Sequence, residues 1–577
     1  MASTSSGPTP GQRLWQLLLT ERRDIAYLYV YAALAGFISL SLPLGVQSVI
    51  GFVSSGAVST SLIVLIIFIV VGTLLVGCLQ IMQIYLVEFL QQRLFARVSF
   101  DFAVRLPRVR TEALGNEYLP ELMNRMLDTP TLQKGMVILL IDFTSAGLQI
   151  LFGLILLSFY HPIFIAFGLL LVLMLGILLR LTWYQGIQTS LTESEYKYRV
   201  VSWLEDVART VHTFRLAPRH TLVLDRTDDH VNGYLSARRS HFRVLMAQYL
   251  GFVGFKTLIT AGLLTIGCWL LINKQINIGQ FVASEIIIIL TIGAVEKVLI
   301  KLDVVYDALT SINKIGHVLD LPTIEKQPGA NLPLTDTGVQ GLAVELRLVS
   351  YSYPYASRSV LNDVSLQLNP KEHLGLAGYD GSGKTTLLRV LGGLLDGYQG
   401  VVTFDGTALR DLSPEALSRT VGENFSHQHL FTGSVLENLT LNQPEILPSD
   451  VTWALDLVGL RDKINAWPQG LATVLTAGSP LPDNAKQKLL LARALVRRPR
   501  LLLLDHFLPA VESAERFRIL KRLLAPELPW TLIVASSEPR VLALCPRVAV
   551  LREGNLVAVG DYATVAQQPE LQELLTI

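Results

Sequence analysis

Eight consecutive residues, Gly378-Tyr379-Asp380-Gly381-Ser382-Gly383-Lys384-Thr385, carry glycines, a lysine and a hydroxyl at the spacing G-x-x-x-x-G-K-T. The strand-like run 374–377 precedes them and the helix-like stretch 386–395 follows, so the loop falls between a strand and a helix N-terminus. Glycines there let successive backbone N–H groups turn inward as an anion cradle at the positive end of the helix. Lys384 would reach the β- and γ-phosphates of a nucleotide, and Thr385 would offer its hydroxyl to Mg²⁺. Gly378, Tyr379, Asp380, Gly381, Ser382, Gly383, Lys384, Thr385 and Thr386 are therefore the candidate phosphate-binding residues.

A second element, Leu501-Leu502-Leu503-Leu504-Asp505, is an apolar run ending in a carboxylate that could hold the water shell of the Mg²⁺. Alone it reads as any buried parallel strand. Beside the glycine-rich loop, Asp505 joins Thr385 as a candidate metal-binding residue.

These groups need an α/β scaffold, and from residue 342 onward the chain supplies its pattern. Strand-like 343–351 and 364–368 flank turn residues at 354–358, and apolar runs such as 501–504 and 531–534 then alternate with helical stretches. The first half is different. Of the 577 residues, 51% are hydrophobic and 16% charged, which is too apolar for a wholly soluble chain. Six stretches, near 26–50, 61–88, 136–158, 163–183, 249–272 and 278–300, match the ~20 residues a helix needs to cross a bilayer.

The short turns after the first, third and fifth stretches carry little charge, whereas the connections 91–134 and 184–243 are long, helix-permissive and basic. Arg93, Arg97, Arg105, Arg108, Arg110, Arg215 and Arg239 lie in them. The excess of basic residues places these connections in the cytosol, and an even number of spans places both termini there as well. Residues 1–23 read as a leader ending in a surface helix, 24–321 as the membrane domain, 322–341 as a Pro/Gly/Asn-rich linker and 342–577 as the α/β domain. A net charge of +1 gives no electrostatic case for nucleic acid. Cys78, Cys268 and Cys545 lack disulfide or zinc spacing and read as buried thiols. Asp142, Lys256 and Glu285 fall in or near spans, where an ionisable group either lines a pathway or pairs with a neighbouring helix.

Nearly the whole chain resembles an ABC half-transporter of the exporter type. Tyr353, in Val349-Ser350-Tyr351-Ser352-Tyr353-Pro354, matches the family's adenine-stacking aromatic. The run 430–438 is similar to the segment that faces the membrane domain, and Leu491-Ala492-Arg493-Ala494-Leu495 to the helix after the signature motif. Ser39-Leu40-Ser41-Leu42-Pro43-Leu44-Gly45 is similar to bacterial toxin and bacteriocin secretion transporters, although the short N-terminus leaves no room for the peptidase domain some of those carry. The resemblance implies a multi-domain membrane protein, with an all-α six-helix transmembrane domain followed by an α/β P-loop NTPase domain. It implies ATP and Mg²⁺ as cofactors and ATP-hydrolysing translocation as the activity. The implied partners are the lipid bilayer, a transported substrate, a second half-transporter in a homo- or heterodimer, and a periplasmic adaptor if the chain serves secretion. The implied location is a bacterial inner membrane with the nucleotide-binding domain in the cytosol.

Several positions depart from the family pattern. The LSGGQ signature falls on Leu481-Pro482-Asp483-Asn484-Ala485, which lacks both glycines and the serine. Pro482 has no N–H to donate, and Asp483 brings negative charge towards an anion. His506 stands at the catalytic glutamate position, Ser537 at the switch histidine and Ser426 at the Q-loop glutamine, with Gln428 as a nearby substitute. The D-loop reads Pro509-Ala510-Val511-Glu512. The expectation is therefore a half-transporter that binds ATP but hydrolyses it weakly or not at all. The competing reading is a non-hydrolysing regulatory or scaffold subunit of an export complex.

Overall fold

A computed structural model describes residues 8–54, 60–110, 112, 114, 118–216, 221–324, 341–354, 356, 358–425, 428–476 and 481–571. The turn between the first two spans, most of the expected linker, and Ser426 lie outside these residues. The chain forms two compact units, Met1–Arg108 with Glu117–Leu321, and Val109–Asn116 with Pro322–Ile577.

In the first unit, six helical segments are long and apolar enough to cross a membrane: Arg22–Ser54, Thr60–Arg108, Leu119–Tyr160, Ile163–Arg209, Thr221–Ile272 and Ile278–Leu319. The first breaks at Leu40, between helices Arg22–Ser39 and Ser41–Ser54. Pro43 explains the break, because it has no N–H for the helical ladder and its ring crowds the preceding turn. Asn277 starts the sixth with a reciprocal cap, its Oδ1 accepting from Gln280 N at 2.7 Å while Gln280 Oε1 accepts from Asn277 N at 2.9 Å. Helices Thr60–Arg105, Ile163–Arg209 and Thr221–Ile272 run for 46, 47 and 52 residues. At 1.5 Å per residue they are about 70 to 80 Å long, over twice the thickness of hydrocarbon. The basic connections are thus continuations of the spans themselves.

The N-terminal helix Pro10–Thr20 buries none of its residues; Trp15 and Leu19 stay exposed, and Arg13 pairs with Asp320. Phe164, Phe252, Ile259, Leu263, Leu270 and Tyr306 form the main apolar core of this unit. Cys78 and Cys268 are exposed, contrary to the expectation of three buried thiols; only Cys545 is buried. The reason is general to spans, since lipid is as apolar as leucine and an apolar run can face outward.

The intramembrane charges are mostly paired. Lys256 Nζ lies 2.8 Å from Glu296 Oε2, and Asp142 Oδ1 lies 2.6 Å from Lys297 Nζ. Asp142 sits in a π-helical turn, Ile138–Phe143, within the third span. Glu285 differs, because its Oε1 is buried and accepts no hydrogen bond. A polar set also joins three helices around His241, whose side chain is fully buried. Its Nδ1 is 2.8 Å from Thr189 Oγ1, and its Nε2 is 3.1 Å from Asp303 Oδ1.

The second unit contains β1 (Val344–Tyr351), β2 (Leu361–Leu368), β3 (His373–Ala377), β4 (Gln399–Phe404), β5 (Thr407–Ala408) and β6 (Val421–Asn424). It continues with β7 (Gly433–Ser434), β8 (Val474–Leu475), β9 (Leu501–Asp505), β10 (Thr531–Ala535), β11 (Arg547–Arg552) and β12 (Asn555–Asp561). The central sheet runs β12-β11-β3-β10-β9-β6, parallel except for β12 at its edge. Both faces are covered, which is why 501–504 and 531–534 read as unbroken apolar runs. An antiparallel sheet, β2-β1-β4-β5, stands beside it, so the strand-like runs at 343–351 and 364–368 belong to a layer separate from the parallel one. Register aligns Ala535 with both Asp505 and Leu376. The ends of β3, β9 and β10 therefore lie side by side, at the edge where open parallel sheets hold their ligands.

Candidate nucleotide-binding site

The loop after β3 has the backbone its glycines allow. Gly378, Gly381 and Gly383 have φ of +155°, +80° and +103°, and Gly383 is the N-cap of the helix Lys384–Leu391. That helix begins two residues earlier than the sequence suggests and stops before Gly392-Gly393, where Gly393 turns left-handed at φ +70°. A Cβ at Gly378 would lie 2.5 Å from Leu551 O, and one at Gly383 would lie 2.9 Å from Val360 O. Only glycine fits either place.

Lys384 Nζ donates to Gly378 O at 2.7 Å and to Tyr379 O at 2.9 Å, folding the ammonium back over the loop. Burial pushes its pKa below the ordinary lysine value, with Asp380 and Asp505 pulling the other way. Ser382 Oγ is buried without a hydrogen-bond partner. A cation held on carbonyls beside an unused hydroxyl is chemistry suited to phosphate oxygens.

Thr385 Oγ1 donates to Asp505 Oδ2 at 2.9 Å, while Asp505 Oδ1 is buried with no hydrogen bond. An orphaned carboxylate oxygen in an apolar setting is unfavourable, and a hydrated divalent cation would satisfy it. Thr385 and Asp505 thus fit Mg²⁺ shared with phosphates. Among the described residues no group of three or more His, Cys, Asp or Glu side chains forms a metal cage of its own.

Tyr353 lies next to this loop, its hydroxyl 3.3 Å from Thr386 Oγ1 and its ring packed edge-on against Tyr351 with centroids 5.0 Å apart. Ser537 Oγ donates to Gly378 O at 3.1 Å, so the residue at the switch position does lie against the phosphate loop. His506 follows Asp505 on left-handed backbone, φ +48°, with its side chain exposed. Asp380, Tyr379 and Gly381 form the outer rim of the loop and are exposed.

Gln428, the nearby substitute for the Q-loop glutamine, faces Glu423 and Arg493. Its Nε2 donates to Glu423 O and Oε1, both at 3.4 Å, and its Oε1 accepts from Arg493 at 3.5 Å. The amide is drawn to the Glu423 carboxylate, whose burial raises its pKa to about 7 against the opposing charges of Arg493 and Arg389. Glu423 is invisible in the sequence as a functional candidate, because a lone carboxylate in a strand-like run carries no motif.

At the altered signature, Pro482 is the N-cap of the helix Asp483–Leu495, and Asp483 in its first turn pairs with Lys486 at 3.1 Å. An acid at that position already complements the positive end of the helix. The D-loop counterpart is held by Gln487, whose Oε1 accepts from Ala510 N at 2.9 Å.

With a six-helix membrane unit and a phosphate cradle at the carboxyl ends of a parallel sheet, this is an ABC transporter. Residues 25–295 match the ABC transporter transmembrane region and residues 361–508 the ABC transporter domain, and the chain belongs to that family. Within it the chain has the architecture of an exporter half-transporter. It superposes on a bacterial Atm1-family ABC exporter with ATP bound at a TM-score of 0.82 and 16% identity, over 95% of this chain and 96% of that one. It is 27% identical over 389 residues to the mycobactin import ATP-binding/permease protein IrtB of Mycolicibacterium thermoresistibile, 67% of this chain and 63% of that protein. It is 25% identical over 380 residues to the alpha-hemolysin translocation ATP-binding protein HlyB of Escherichia coli O157:H7, 65% of this chain and 51% of that protein. The cyclolysin secretion/processing ATP-binding protein CyaB of Bordetella pertussis is 27% identical over 343 residues, 59% of this chain and 47% of that protein. The chain spans about half the length of the two secretion relatives.

Proposed function

We propose that this chain is the ATP-binding half of an ABC exporter, working as a dimer in a bacterial inner membrane with its nucleotide-binding domain in the cytosol. The observation that carries the reading is the Thr385–Asp505 pair beneath the glycine loop, with one carboxylate oxygen unused. Residues 1–23 would form a leader and surface helix, 24–321 the membrane domain, 322–341 the linker and 342–577 the nucleotide-binding domain.

In this reading the loop amides and Lys384 hold the triphosphate, Tyr353 stacks on the base, and Thr385 with Asp505 hold Mg²⁺, which would neutralise charge on the phosphates. His506 and Ser537 occupy the positions from which a water would be activated and the γ-phosphate sensed. An exposed imidazole on left-handed backbone is a poor substitute for a fixed carboxylate, so hydrolysis by this chain is slow. The relatives named for hemolysin translocation and cyclolysin secretion support outward transport; the substrate in this reading is a peptide, a protein or a lipid-like molecule, with a periplasmic adaptor as a further partner. The relative named for mycobactin import makes direction the point to test.

The test uses the full chain in inverted membrane vesicles, with nucleotide binding, phosphate release and substrate accumulation measured together. Tight MgATP binding with phosphate release well below one per second supports the reading. Turnover near 10 per second, an ordinary enzyme rate, overturns slow hydrolysis. ATP-dependent loss of substrate from the vesicles would reverse the direction. Bound ATP with no transport, but activation of a co-expressed intact half-transporter, would point to a regulatory subunit instead.

A further inference from the structure

We infer that Glu112 is a positioning residue for base recognition, acting through Tyr351 on Tyr353; this rests on the nucleotide-binding reading above. Residues 109–116 lie in sequence between the second and third spans, yet they are part of the same compact unit as the nucleotide site. Within that unit, one oxygen of Glu112 gathers three donors. Its Oε1 accepts from Asp396 N at 3.1 Å, Gly397 N at 3.0 Å and the Tyr351 hydroxyl at 3.2 Å.

Such convergence is what an ionised carboxylate demands, and hydrogen bonds to a charged acceptor are roughly twice as strong as neutral ones. A Cβ at Gly397 would lie 3.2 Å from Glu112 Oε1, so the glycine is what allows the close approach. Burial first and the Glu112 charge second raise the Tyr351 pKa, which keeps its hydroxyl a donor to this carboxylate.

The consequence reaches the nucleotide through two rings. Tyr351 is 2% exposed and meets Tyr353 at an interplanar angle of 87°, a T-shaped contact that fixes the tilt of the Tyr353 ring. Tyr353 is pinned at its far end by the hydroxyl of Thr386. Among the described residues, the hydrogen bonds of Glu112 go to Tyr351, Asp396 and Gly397 and not to the phosphate loop. Its influence therefore falls on the base and not on the phosphates, and this selectivity separates positioning from general structural support.

The experiment measures binding of MgATP and of Mg-tripolyphosphate to the full chain in nanodiscs, for wild type, E112A, E112Q and Y351F. E112A should weaken MgATP about tenfold, the scale of one base–aromatic stack, and leave tripolyphosphate within about twofold. E112Q, whose amide oxygen can accept from the same donors, should recover most of the loss. Y351F should fall between them. On a Y353A background, E112A should have no further effect on MgATP. Equal weakening of both ligands, or an unchanged MgATP affinity, overturns the inference. If E112A does not fold, the E112Q and Y351F comparison decides it in the same way. Wild-type protein that binds neither ligand fails the nucleotide-binding reading itself, a different outcome from either.

Discussion

Thr385 and Asp505, 120 residues apart in sequence, meet through a 2.9 Å hydrogen bond that ties the loop after β3 to the end of β9. The bond leaves the second Asp505 oxygen unused, so a cation entering there gains a ligand without first breaking an acceptor free. D505N should therefore abolish the enhancement of ATP binding by Mg²⁺ while leaving Mg²⁺-free binding nearly intact. T385A should do the same more weakly. Titration with ATP in the presence and absence of Mg²⁺ checks both, and equal losses under the two conditions would count against a metal role.

G383A should destabilise the nucleotide-binding unit by about 2–3 kcal/mol, from left-handed strain together with the clash on Val360 O. Thermal unfolding of the full chain without nucleotide provides the measurement. A shift confined to nucleotide affinity would show that the loop relaxes around the added methyl.

Glu423 gives the unit a pH dependence of definite sign. Its folded pKa is raised to about 7, so the folded state holds a proton more tightly than the unfolded state, which releases it near the ordinary value. The contribution to stability is greatest at low pH, declines as pH rises from the ordinary carboxylate pKa, and levels off above about 7. E423Q should flatten this local slope and stabilise the unit at pH 8 by about 1–2 kcal/mol. Denaturation midpoints at pH 5 and pH 8 for both proteins test it, and an unchanged difference between the two midpoints would exclude Glu423 as the cause.

Lys256 and Glu296 should be coupled. K256A removes the cation from Glu296, which keeps the Tyr249 hydroxyl on its Oε1 at 3.3 Å, and E296A leaves the ammonium without its carboxylate, so each alone should cost about 1–3 kcal/mol. The double variant should cost less than the sum, and the exchanged pair K256E/E296K should recover part of the loss. Unfolding in graded detergent measures all four. Additive losses would mean that the 2.8 Å contact contributes nothing.

H506E tests the proposed slow hydrolysis. If the proposal holds, the carboxylate should raise phosphate release several-fold at most, because Pro482, Asp483 and Ser537 stay in place at the other departing positions. Adding S537H should raise it further. An immediate return to ordinary rates with H506E alone would assign the whole defect to one side chain.

Features built from contiguous residues are legible in the amino-acid sequence itself. The loop from Gly378 to Thr386, the run ending at Asp505 and the six apolar stretches each contain their whole signal within a few turns of chain. What is not legible there depends on partners far apart in sequence. Pairing of Lys256 with Glu296 needs the fifth and sixth spans side by side, and Glu112 meets Tyr351 across 239 positions. Cys78 and Cys268 cannot be assigned an environment from their neighbours in the chain, because an apolar helix looks alike whether it faces lipid or protein. The neighbours of Gln428 are equally hidden: Arg493, 65 positions on, meets its amide oxygen beside Glu423.

Gly378 O accepts from two side chains, Lys384 and Ser537. When phosphate draws the ammonium away, the serine remains, so the exchange never strands the carbonyl in a dry pocket. An orphaned acceptor is among the larger penalties a buried loop can meet. Ser537 thus doubles as a placeholder that keeps this loop carbonyl partnered.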